Sequence, residues 1–169
     1  MLNKLKFFVK SSHEQSVGQL LHDAKKACGM LEKGLLQDLD IYDYKYDISI
    51  AVRELGLDKE LVAQLVDDYV AQVIKSVVQF EDYLTTLHDS QENHDDLDYK
   101  AFRELAHKNL GVARNLRIKD AEILLYELMK KDNLDYLLAC LEALKACAVK
   151  LSPKYAYDTL KLIEVKNSL

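Results

Sequence analysis

The sequence predicts an all-α protein, and three observations carry that prediction. One proline and five glycines in 169 residues leave little material for turns. No run alternates apolar and polar residues for long enough to make a convincing strand. Through most of the chain, apolar residues recur at steps of three and four, the spacing that gathers them on one face of a helix. A chain of this length is most simply one domain with room for a real core. Its net charge of −5 offers no basic footprint for nucleic acid.

Residues 1–10, MLNKLKFFVK, form a short apolar-basic segment, too short for a signal peptide or a membrane span. We read it as a helix end packing on its own domain, and the cytoplasm as the default location. Ser11 and Ser12 break the segment and can cap the next helix. From about Glu14 to Leu36, the positions Val17, Leu20, Leu21, Ala24, Cys28, Leu31 and Leu35 make that helix amphipathic. Residues 37–46, QDLDIYDYKY, have no period and read as a connector whose tyrosines cover the core edge.

Asp47 to Leu55 is a short helix stopped by Gly56. Asp58 caps a long helix to about His88, with Leu61, Leu65, Tyr69, Val73, Val77, Phe80, Leu84 and Leu87 inward. Residues 88–97 read as a solvated acidic turn. His88 and His94 lie there among carboxylates, but their spacing matches no metal motif, and no metal site is expected. Asp98 caps the next helix, which ends near Arg117. Lys119–Lys131 gives another, with Ala121, Leu124, Leu125 and Leu128 inward. Leu134–Lys150 comes next, with Leu134, Leu137, Leu138, Leu141, Leu144 and Ala148 inward. Ser152 and Pro153 open a last helix to about Lys166, which buries Ala156, Leu160 and Ile163. Three cysteines in no metal spacing read as buried thiols, with Cys140 and Cys147 on one helix face.

The four helices from Lys59 to Lys150 have short links, so neighbours should run antiparallel, up-down-up-down. The expected organisation is an N-terminal helical extension packing on the bundle (1–45), an antiparallel four-helix bundle (46–151), and a C-terminal helix and tail (152–169).

The stretch Tyr99–Arg117, YKAFRELAHKNLGVARNLR, carries the candidate site. At about 100° per residue, Phe102, Leu105, Asn109, Val112, Ala113 and Leu116 gather on one side. His107 is expected opposite the middle of that stripe, and Lys100, Arg103, Gly111 and Arg114 within about 40° of it. Gly111 costs about 1 kcal/mol relative to alanine inside a helix. One turn after His107, it would leave the imidazole unshaded and let another protein come close.

AHKNLGVARNL resembles the active-site helix of the histidine phosphotransfer (Hpt) domains, whose pattern is roughly A-H-x-L-K-G-x-A-x-N-L. Ala106, His107, Gly111, Ala113, Asn115 and Leu116 match. The pattern's lysine is replaced by Leu110, and the apolar residue before it by Asn109. The resemblance covers about Tyr46 to Leu151 and implies a four-helix bundle with a short preceding helix, which Asp47–Leu55 would supply. It also implies a phosphoryl carrier with no kinase activity and no ATP site, and no glycine-rich phosphate loop is present. His107 would be the phosphoacceptor. Lys100, Arg103 and Arg114 would neutralise phosphate oxygens, Gly111 would permit close docking, and Leu110 would add an apolar patch on the flank. The partner would be a response-regulator receiver domain, with a hybrid histidine kinase as a further candidate. No cofactor is expected on this chain, since magnesium would sit in the receiver. The alternative is a degenerate Hpt-like adaptor that binds a signalling partner without phosphoryl transfer.

Overall fold

A computed structural model describes residues 16–41 and 44–168. These residues are all-α, with no strand among them. The helices are α1 (Val17–Glu32), α2 (Ile48–Leu55), α3 (Lys59–Glu92), α4 (Lys100–Asn115), α5 (Lys119–Lys130), α6 (Leu134–Leu151) and α7 (Pro153–Ser168). The expectations for residues 1–15 and for Tyr42 lie outside the described residues.

Local chemistry explains most of the boundaries. The side chains of Ser16, Asp47, Asp58 and Asn133 each accept a backbone N–H in the first turn of the adjoining helix. Gly56 ends α2 in the left-handed region at φ 66°, and its N–H reaches the Val52 carbonyl. The Asp98 carboxylate accepts the Lys100 N–H at 3.0 Å. Helix α1 ends at Glu32, short of the expected Leu36, so Leu35 falls outside it and is exposed while Leu36 is buried. One other boundary and one expected cap also differ. Helix α3 runs on to Glu92, because Asp89–Glu92 contains no breaker and His88 meets Glu92 one turn later at 3.8 Å. The Ser152 hydroxyl donates to Asp67 of α3 at 2.8 Å, so it ties two helices together instead of capping α7.

Helix α6 lies at the centre, packed against α1, α3, α5 and α7. Helix α3 also meets α2, α4 and α7, and α4 packs between α3 and α5. Contacts along the helices give their relative directions. Ser76 meets Asn109 and Phe80 meets Phe102, so α3 and α4 run antiparallel. Arg103 reaches Leu128 while Arg114 faces Glu122, which makes α4 and α5 antiparallel as well. Helix α1 is not peripheral, since Leu20, Ala24 and Cys28 are buried in the same core as α6.

The buried row of α3 differs at its start from the expected one. Leu61 is 40% exposed, while Val62, Val66 and Val70 are buried. The two rows are neighbouring ridges with the same spacing, and the valine ridge is the one the fold buries at this end.

The connector before α2 fixes the α4–α5 corner. The Tyr44 hydroxyl donates to the Arg117 carbonyl at 2.9 Å and accepts the Lys119 N–H at 3.2 Å. The Tyr46 hydroxyl donates to the Leu116 carbonyl at 2.7 Å, and burial pushes its pKa up to about 12. Arg117 adopts φ 59° at this corner and forms an ion pair with Glu54 of α2.

Candidate functional site

Helix α4 is held rigidly on its inner side. The Phe102 ring meets Phe80 edge-on, with centroids 5.1 Å apart. Asn109 is 1% exposed and fully engaged. Its amide donates to the Ser76 hydroxyl at 3.1 Å and to the Leu105 carbonyl at 3.0 Å, and its oxygen accepts from Ser76 at 3.3 Å. The sequence placed Asn109 on the inner face but gave no sign of Ser76, which lies 33 residues away on α3.

His107 is exposed, as are Lys100, Lys108, Gly111 and Arg114. The buried side of α4 runs from Leu110 through Ala106, Ala113, Phe102 and Asn109 to Leu116. On a helical wheel the middle of that arc falls about 120° from His107, so the imidazole sits about 60° off the centre of the wet face. Glu104, also exposed, occupies the centre. The expectation that His107 stands opposite the middle of the stripe is therefore corrected. Packing against both α3 and α5 widens the buried arc, and on the Leu110 side the arc comes close to His107.

Two further site expectations change. Leu110 is 2% exposed and belongs to the core, so it adds no apolar patch to an outer surface. Arg103 is committed within the fold. Its guanidinium donates to the carbonyls of Leu128 (2.7 Å) and Lys131 (2.9 Å), pairs with Asp132 at 2.9 Å, and lies 4.6 Å over the Tyr99 ring. A cation capping the carbonyl end of α5 is well placed electrostatically, and that is the task Arg103 performs. Arg114 is looser, half-exposed and 3.9 Å from Glu122.

His107 occupies a ridge between two shallow grooves and lines neither. One, of about 400 Å³, lies between α3 and α4 and is bordered by Gln72, Lys75, Gln79, Leu105 and Lys108. The other, also about 400 Å³, is bordered by Arg114, Lys119, Glu122, Ile123 and Tyr126. A side chain on a ridge has no enclosing pocket of its own, so chemistry there requires a concave partner. The Gly111 position adds to the openness, because a Cβ built there would meet nothing within 4 Å.

A buried polar cluster elsewhere escaped the sequence reading. Cys28 of α1, Tyr69 of α3, Asp120 of α5 and Cys147 of α6 converge, with Lys150 nearby. Cys140 is separate from it, beside Tyr136 and Glu127, and burial pushes its thiol up to about 12. Among the described residues, no group of three or more His, Cys, Asp or Glu side chains is placed to hold a metal ion. None of the described helices is long and apolar enough to cross a membrane.

Compared with protein-family models, curated proteins and solved structures, the chain finds no match.

Proposed function

We propose that this protein is a phosphoryl carrier of the histidine phosphotransfer kind, in which α3–α6 act as an antiparallel four-helix bundle led by α2. His107 takes a phosphoryl group from the phosphoaspartate of a receiver domain and passes it to the aspartate of another. The observation that carries this reading is an exposed imidazole on the ridge of a helix clamped from behind, with open space above Gly111. The resemblance of AHKNLGVARNL to the Hpt active-site helix supports it.

A neutral imidazole nitrogen is a competent nucleophile near neutral pH. It attacks phosphorus in line, the bond from phosphorus to the aspartate oxygen breaks, and the carboxylate leaves. Such a transfer needs alignment and charge neutralisation more than covalent assistance. The rigid α4 backbone supplies alignment. Lys100 and Arg114 supply positive charge from the exposed side, while Arg103 holds the end of α5. The magnesium ion belongs to the receiver's pocket, and the relay is placed in the cytoplasm.

Purified protein mixed with phosphorylated receiver domains and magnesium should acquire label that is acid-labile and base-stable. His107→Gln should acquire none. Equal labelling of that variant would remove His107 from the reaction.

A second reading has its own observation. The position of the family's lysine is filled by Leu110, which is buried, and Arg103 is spent inside the fold. An adaptor that binds receivers without accepting phosphate fits this reduced set of cations. In that case no label transfers, and receiver binding is unchanged in His107→Ala.

A further inference from the structure

Helix α4 ends on a residue poorly suited to its place. Leu116 caps the helix, the Arg117 N–H reaches the Arg114 carbonyl at 3.1 Å, and the Ile118 N–H reaches back to the Ala113 carbonyl at 3.0 Å. That pair of bonds is the Schellman arrangement, in which the residue after the cap adopts the left-handed conformation. Arg117 fills that position at φ 59°. Glycine takes this conformation without steric cost, whereas the Cβ of other residues is crowded there. The chain does use glycine after α2, where Gly56 stands at φ 66°. An arginine after α4 therefore persists because contacts from elsewhere hold the turn.

Those contacts come from the connector and α2. The Tyr44 hydroxyl bridges the turn, donating to the Arg117 carbonyl at 2.9 Å and accepting the Lys119 N–H at 3.2 Å. The Tyr46 hydroxyl donates to the Leu116 carbonyl at 2.7 Å. The Arg117 guanidinium pairs with Glu54 and donates to the Arg114 carbonyl at 2.6 Å. A glycine would satisfy the turn but could offer nothing to Glu54, so the arginine makes the turn depend on the N-terminal part of the chain. Arg114 lies in the last turn of α4 and is exposed. It stands within about 20° of His107 on the wheel and roughly 10 Å along the axis from it. Helical side chains lean toward the N-terminus, which directs Arg114 toward His107.

We infer that Tyr44, Tyr46 and Glu54 are positioning residues, which hold Arg117 in the left-handed conformation and so fix the last turn of α4, with Arg114 on it, for a partner engaged at His107. The clasp stands on the contacts alone, and its effect on the partner rests on the phosphoryl-carrier reading. Without the two hydroxyls, Arg117 relaxes toward ordinary backbone angles, the last turn frays and Arg114 loses its fixed place. The partner then binds less tightly. Chemistry at His107 is unchanged once the partner is bound, because Phe102 and Asn109 still clamp the body of the helix.

The test uses the full-length double variant Tyr44→Phe with Tyr46→Phe, which keeps both rings and removes only the hydroxyls. Amide exchange followed by NMR should accelerate roughly tenfold at Ile118 and Lys119. Asp95, which closes a similar turn after α3 beside His94 at φ 57°, should keep its wild-type rate, as should the amides of α6. Adding Arg117→Gly should return Ile118 to wild-type protection, since glycine holds the turn without the clasp. A packing defect would not be cured in that way. With phosphorylated receivers, the double variant should need several-fold more receiver for half-maximal labelling at an unchanged maximal rate, and Arg117→Gly should reverse the change. Wild-type exchange at Ile118 and Lys119 in the double variant, or loss of protection throughout the chain, would overturn the clasp. Faster exchange with an unchanged half-maximal concentration would overturn the positioning role. No label on the wild type, with exchange still faster in the double variant, would overturn the carrier reading and leave the clasp standing.

Discussion

Helices α4 and α6 have similar lengths but opposite environments. Helix α4 has neighbours on two flanks and keeps one side in water, with a histidine, a glycine and several cations along it. Helix α6 is surrounded by four helices and buries twelve of its 18 residues, so it has almost no surface on which to meet a partner. Its alanines at 139, 143, 146 and 148 let neighbours approach closely, and even Lys145 is only 3% exposed. The contrast teaches that a framework helix and a presenting helix can share amphipathic spacing. What separates them is how many partners each acquires.

That contrast can be sharpened first at Lys145. Burial lowers its amine to about 8, against the opposing pull of Glu81 and Glu142, while an unfolded lysine titrates at 10.5. Between those values the unfolded chain holds a proton that the folded chain lacks, so raising the pH favours folding. Below about 8, the cost of burying the charge is fully present. Cys140, raised by burial, and Cys147, raised by its bond to Cys28 and by burial, act in the opposite direction above the ordinary thiol range. The informative quantity is therefore the difference from Lys145→Met, measured by urea unfolding. The wild type should gain on the variant by about 1 kcal/mol per pH unit across this window. A flat difference would mean that the amine is solvated, and that α6 is less enclosed than its packing implies.

Helix α4 is tested next at its inner side. Asn109→Leu should destabilise by about 2 kcal/mol, because it leaves the Ser76 hydroxyl buried and unpaired. Adding Ser76→Ala should recover much of that loss, since replacing both partners by apolar groups can be nearly neutral. If the double variant were as unstable as the sum of the single ones, the two side chains would not be coupled. The smallest effect is expected on the wet side. Gly111→Ala should stabilise by up to about 1 kcal/mol, with no neighbour to crowd the new methyl, yet slow phosphoryl transfer to His107. Unchanged transfer would separate the glycine from partner approach.

Much of this was legible in the chain. The steps of three and four located every described helix, and Gly56 and Asp58 marked turns that the structure uses. The exposure of His107, Lys100, Gly111 and Arg114 followed from the wheel. The failures share a cause. A wheel built from one helix knows its own apolar residues but not the number or direction of its neighbours. Leu110 and Arg103 both fall on the side of α4 that α5 covers, so one sinks into the core and the other caps the end of α5. Leu61 and Val62 lie on adjacent ridges, and only tertiary packing chose between them.

By itself, then, the sequence determined the helical class, the element order, the Asp58 cap, the Gly56 stop and the presence of an exposed histidine on a short amphipathic helix. These depend on interactions within a few residues, whose geometry the helix repeat dictates. Tertiary structure alone decided that α6 is the centre, that Asn109 finds Ser76, and that Arg103 is occupied. Each joins residues distant in sequence, and such pairings arise from how whole helices pack, which local periodicity does not encode.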